Sequence, residues 1–169
     1  MSLMALPMFN TGYADKKGNI FYLYNAKLPL RDSAYNWQGV VPGNTSATLW
    51  KDFVQYQDLP QTFNPSSGYI QNCNNGPYYT INNTIEKSNF YSGIESTNTN
   101  RSIRAEELFS SDTSITYQDF KKIKFDLEYS KNSNIAYIIN RVVEIIKNKN
   151  DAKIKEAYKV LTSWDLKTD

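Results

Sequence analysis

The stretch NPSSGYIQNCNNGP, residues 64–77, decides how this chain is read. Asn64-Pro65 and the Ser66-Ser67-Gly68 run open it as a turn. Asn74, Asn75, Gly76 and Pro77 close it as a second turn. Between them residues 68–73 read as a short strand that delivers asparagine carboxamides to its very end. A scaffold usually presents chemistry where a strand meets a loop. A buried carboxamide NH2 held at such a junction can donate a hydrogen bond to a developing oxyanion. The same four residues are also ordinary turn formers, so on spacing alone a plain turn stands beside the catalytic reading.

Working upstream, residues 8–14 and 19–25 read as two strands joined by Asp15-Lys16-Lys17-Gly18, with the glycine at the left-handed position of a hairpin. The second strand, Ile20 to Tyr24, is aromatic and β-favouring on both faces, which predicts a strand covered on both sides. Residues 28–63 carry scattered aromatics, three prolines and little periodicity. They read as a long packed loop with a helical turn near Trp50 to Phe53. Residues 82–98 are rich in Asn, Ser and Thr and read as a surface connection.

From Arg101 onward the pattern is helical. A short helix over 101–109 is expected with Asn100 as its cap. Thr116 followed by Asp119 resembles a capping box and starts a second helix to about Leu127. Ile135, Ile138, Ile139, Val142, Ile145 and Ile146 have the spacing of one buried helix face. Asp151 starts a last helix with Ile154, Ala157, Tyr158 and Leu161 on one stripe. The expected organisation is α+β: antiparallel strands in residues 1–80, a polar connection over 81–99 and helices over 100–169.

Composition narrows the function classes. Apolar residues make up 40% and charged residues 21%, which are globular values. A formal net charge of +2 is too small to indicate nucleic acid, and no basic run interleaves with aromatics. No apolar run approaches the roughly 18 residues of a membrane span. Residues 1–7 lack the basic start and long apolar core of a signal peptide. Met1-Ser2-Leu3 ahead of a second methionine reads as a vector-derived leader, with Met4 then opening the cloned reading frame. With one cysteine, Cys73, and no histidine, internal disulfides, Cys–His nucleophilic pairs and multi-cysteine zinc sites are all excluded. In a strand Cys73 would face opposite to Asn72 and Asn74, as a small packed residue. Acidic spacing of the EF-hand kind is absent, so no metal ligand is assigned.

The ordered set of residues between Asn10 and Pro77 resembles the middle of the catalytic chain of the penicillin acylase family of N-terminal-nucleophile hydrolases. It includes Tyr13-Ala14-Asp15, Gly18-Asn19-Ile20, the Tyr22 to Asn25 segment, Leu28-Pro29 and Val41-Pro42-Gly43. It continues through Asn64-Pro65, Gly68-Tyr69-Ile70 and Asn72 to Pro77. Residues from about 100 resemble the family more loosely, as an arginine, a helix and a second helix begun by a threonine.

The resemblance implies part of a four-layer αββα sandwich. It also implies hydrolysis of an N-acyl amide by a serine at a processed N-terminus, whose own α-amino group is the base. Asn74 matches the family's oxyanion asparagine and Arg101 its active-site arginine. Phe9 falls where the family places an acyl-pocket side chain. Arg101 has a second reading, as an exposed helix-start residue or a partner of Glu106, and Phe9 has one as core. The nucleophile lies upstream of anything in this chain, so the isolated chain is expected to be an inactive, incomplete domain. The implied partners are a small acylated amide and the remaining acylase segments, with homo-oligomers through exposed strands. No cofactor is expected; calcium is a feature of complete family members. A periplasmic or extracellular location is implied for the parent. An alternative of another class is a non-catalytic carbohydrate or small-ligand module, which the 13 Tyr and 3 Trp would serve as stacking platforms.

Overall fold

The computed structural model describes residues 8–81, 85 and 94–168. The start, residues 1–7, and most of the 82–98 connection lie outside the described residues. The chain divides into two compact units, Met1–Thr97 and Asn98–Asp169. The whole is α+β, with a three-stranded antiparallel sheet and four helices.

In the first unit β1 (Phe9–Ala14), β2 (Ile20–Asn25) and β3 (Gln61–Phe63) lie in the order β1-β2-β3. The β1–β2 register runs from Phe9 opposite Asn25 to Ala14 opposite Ile20. The hairpin loop closes as its residues dictate. Gly18 takes a left-handed φ of 87°, and the Asp15 carboxylate accepts from the backbone of Lys17 and Asn19. Four consecutive β2 residues, Tyr22 to Asn25, are buried. Neighbouring strand residues point to opposite faces, so both faces of β2 are covered, as its aromatic run predicts.

The strand β3 is absent from the expected elements. Its three residues pair with Phe21, Tyr22 and Leu23, and the Phe21 and Phe63 rings lie 6.5 Å apart. Asn64 ends it at φ 46°. Its carboxamide oxygen accepts from the Ile20 N–H at 2.8 Å, and its NH2 donates to Asn19 at 2.9 Å. Around β2 pack Leu28, Val54, Leu59, Tyr78 and Ile81. The helical turn expected at 50–53 does not form. Phe53 instead bridges Pro29, and short 3-10 turns sit on either side at Ser46–Thr48 and Tyr56–Asp58. By contrast β1 is exposed along almost its whole length, and among the described residues it has β2 as its one neighbour.

The second unit holds α1 (Asn100–Ser110), α2 (Tyr117–Lys124), α3 (Asn134–Ile146) and α4 (Ala152–Ser163). The cap of α1 is Thr99 rather than Asn100, whose carboxamide oxygen accepts from the Ile135 N–H. Thr116 and Asp119 form the expected capping box, and Asp151 caps α4 through two N–H groups. The apolar stripe of α3 is split. Ile135, Ile139 and Ile146 are half-buried, but Ile138, Val142 and Ile145 are exposed. The expectation of one buried face therefore fails for half its members. Arg104 ties α1 to the segment after α2. It donates to both Asp126 carboxylate oxygens at 2.8 and 2.9 Å and to Glu128 at 3.2 Å.

Candidate active site

Residues 68–73 are not a strand. Gly68 turns at φ 72°, and the chain then packs against the 3-10 turn Pro77–Tyr79 instead of a strand neighbour. The Gln71 N–H donates to the Thr80 carbonyl at 3.1 Å, and the Gln71 amide donates to the Tyr79 carbonyl at 2.6 Å. Cys73 is half-buried, and its placement follows from this loop rather than from strand alternation.

The turn beyond is built from asparagine carboxamides. Asn72 accepts from the Asn74 N–H at 3.1 Å and donates to the Asn75 carbonyl at 3.0 Å. Asn75 is buried. It accepts from the Cys73 N–H at 2.8 Å and donates to the Gly76 carbonyl at 3.0 Å. Between these braces Asn74 sits exposed at φ 60°, a left-handed conformation that asparagine tolerates better than most residues. The carboxamide predicted to be buried is thus on the surface, and the buried one belongs to Asn75. Sequence reasoning passed over Asn75 and Gln71. Their signal was two more carboxamides within four residues of Asn74, each able to bond its own backbone.

The floor of the turn is tight. A Cβ built on Gly76 would lie 2.3 Å from the Glu95 carbonyl oxygen, so the 94–96 segment crosses where only a glycine fits. The Tyr79 hydroxyl donates to the Ser96 carbonyl at 2.5 Å and holds that crossing. Two tyrosines of β2 share a core with Tyr78 and Ile81, which follow the turn. Burial pushes the Tyr22 phenol up to about 12, and its O–H donates to Asn10 at 2.5 Å. Burial, and then the charge of Glu95, also raise Tyr24. Both phenols are therefore neutral hydrogen-bonding groups at ordinary pH.

Phe9 is 58% exposed on β1, opposite Asn25. It is not core. It shares the first unit with Asn74, and a Cβ built on Gly12 of the same strand would meet Ile70 at 3.5 Å. Arg101 is exposed in the first turn of α1, in the other unit. Arg104, three residues on, holds an ion-pair network whose three carboxylate partners lie within four ångströms. Among the described residues no cluster of three or more Cys, Asp or Glu side chains could hold a metal, and no helix is long and apolar enough to cross a membrane.

The family model for penicillin amidase matches residues 1–169. The chain belongs to the penicillin amidase family. A penicillin G acylase of Escherichia coli is 41% identical over 68 residues, a match covering 40% of this chain and 8% of that protein. The solved structure of a thermostable penicillin G acylase from Alcaligenes faecalis superposes with a TM-score of 0.65 at 25% identity. That superposition covers 98% of this chain and 28% of the other. The chain thus spans less than a third of these two penicillin acylases, and it shares the α+β arrangement of the solved one.

Proposed function

We propose that this chain is part of an amidohydrolase that cleaves N-acyl amide bonds through an N-terminal serine not present here, and that it supplies the oxyanion side of the site. The observation that carries this reading is the Asn72–Pro77 turn of a penicillin amidase family chain. It presents one asparagine, Asn74, outward at a left-handed corner, while Asn72 and Asn75 hold the corner rigid. A donor fixed in advance needs no reorganisation when charge develops on the substrate oxygen, which is what oxyanion stabilisation requires. Arg101 is the candidate for orienting polar groups in the complete site, and Phe9, exposed and apolar, for touching the acyl group. The complete protein would be a four-layer αββα sandwich acting on small acylated amides in the periplasm or outside the cell.

The test is Asn74→Ala in a complete acylase that carries this segment. Turnover falls about 100- to 1000-fold while KM changes little. Near-normal turnover in that variant would sink the assignment.

One observation favours a second reading. The Arg31 guanidinium lies 5.8 Å from the Trp37 ring and 5.7 Å from that of Trp50, and Trp50 is 58% exposed. This makes a rigid aromatic platform suited to stacking on a sugar. Binding on a glycan array, lost in Trp50→Ala, would support a carbohydrate module. An array without signal would remove it.

A further inference from the structure

The second unit contains a cleft of about 360 Å³ between α3, α4 and the segment that follows α4. It exists because Ala136 and Asn140, four residues apart on α3, both face it with short side chains. Val143, Leu161 and Trp164 also line it. Trp164 is fixed in place. Its indole N–H donates to the Lys167 carbonyl at 2.8 Å, and its ring packs edge-on against Tyr129 at 5.9 Å. Among the described residues Lys131 is the one charged residue lining the cleft.

The charge balance around Lys131 is uneven. It forms no ion pair among the described residues. Nearby carboxylates are engaged elsewhere. Glu107 accepts from Ser130 and Asn132, Asp126 and Glu128 accept from Arg104, and Asp165 lies 3.6 Å from Lys167. A cleft of this size, with Ile139, Val143, Leu161 and Trp164 beside Lys131, Asn140 and Thr162, offers both apolar and polar contacts to a small ligand. An unmatched ammonium at its mouth selects for negative charge.

We propose that this cleft binds small amphipathic monoanions, an aryl or short-chain carboxylate whose apolar body lies against Val143 and Trp164 and whose carboxylate meets Lys131. The residues that line the cleft all belong to the second unit, and the proposal does not depend on the amidase reading. The probe is naphthalene-2-carboxylate titrated into the isotope-labelled chain at low salt, with naphthalene-2-carboxamide as the neutral control. The Trp164 indole resonance moves saturably with a Kd on the order of 1 mM, the range for a ligand of this size. The exposed Lys131→Glu variant weakens the carboxylate about fivefold and leaves the carboxamide unchanged. Val143→Trp fills the cleft and abolishes both. Equal affinity for carboxylate and carboxamide would overturn the proposal. So would a Trp164 resonance that stays still while the Ile138 and Ile145 methyls shift, because the ligand would then be on the exposed face of α3.

Discussion

Replacing Gly76 by alanine puts a methyl group where the structure has a carbonyl. The new Cβ would lie 2.3 Å from the Glu95 oxygen, 3.3 Å from the Glu95 carbonyl carbon and 3.7 Å from its Cβ. Real Cβ atoms essentially never come within 3.0 Å of a neighbour, so the two backbones must separate by at least about 0.7 Å. Neither side yields easily. Gly76 is buried between Asn75 and Pro77, and its carbonyl accepts from the Asn75 amide at 3.0 Å and from the Tyr79 N–H at 3.3 Å. The 94–96 segment is tethered by the Tyr79 hydroxyl at Ser96. Overpacking of this kind costs about 1–3 kcal/mol, and loss of one of these hydrogen bonds adds about 1 kcal/mol. For a unit of this size that is a fall in Tm of about 10 °C or more. The assay is thermal denaturation, together with hydrogen exchange at the Gln71 amide, which bonds Thr80 across the same loop. Gly43→Ala is the control, since a Cβ there meets nothing within 4 Å. Equal melting of the two variants and unchanged exchange at Gln71 would refute the idea that the Glu95 crossing sets the turn.

Arg104→Met leaves Asp126 and Glu128 facing each other without their cation and destabilises the helical unit by about 1–3 kcal/mol, read by chemical denaturation. Hydrogen bonding to Arg104 lowers the Asp126 pKa below 3.8, so its stabilisation is full above the unfolded-state value and is lost as pH falls through the folded one. Stability measured from pH 5 downward falls more gently in Asp126→Asn than in the parent, and parallel curves would disprove the linkage. Thr116→Ala removes the capping box of α2 and costs about 1 kcal/mol, which circular dichroism would register as lost helix. The exposed edge strand β1, with Met8, Phe9 and Tyr13 open to water, pairs with another copy at tens of micromolar, on the order of a weak dimer. Light scattering from a clean 19.5 kDa monomer would count against this.

What the sequence could reveal was what neighbours in sequence decide. The 15–18 hairpin, the two-sided burial of β2, the Thr116 capping box and the Asp151 cap each follow from residues within a few positions of one another. Misreadings arose where a distant partner decides. β3 is three residues long, too short for alternation to register, and exists through its pairing with β2. Gly68 to Cys73 has strand composition, but Gln71 finds its partners at Tyr79 and Thr80, and that pairing bends the segment into a loop. Asn100 can cap a helix as well as Thr99 can, but Ile135 claims its carboxamide. The α3 stripe showed a helix with an apolar face, yet periodicity carries no information about which neighbours cover it. The same limit applies to the candidate site. The family resemblance singles out Asn74, while its exposure and its bracing by Asn72 and Asn75 depend on the folded turn.

The Asn75–Gly76 pair also governs how this protein ages. An asparagine followed by glycine loses its amide readily when the glycine nitrogen can reach the side-chain carbon. In the folded turn the Asn75 carboxamide is buried and bonded at both its oxygen and its nitrogen, so that attack is blocked. A carboxylate at this position could only accept, and it would face the Gly76 carbonyl where the amide now donates. Each unfolding event therefore exposes a chemical clock, and each completed deamidation removes the bond that stopped it. Peptide mapping of aged samples would find aspartate at position 75 in unfolded material and intact asparagine in folded material. The turn that braces Asn74 is in this sense self-preserving: its chemical lifetime is set by the time it spends closed.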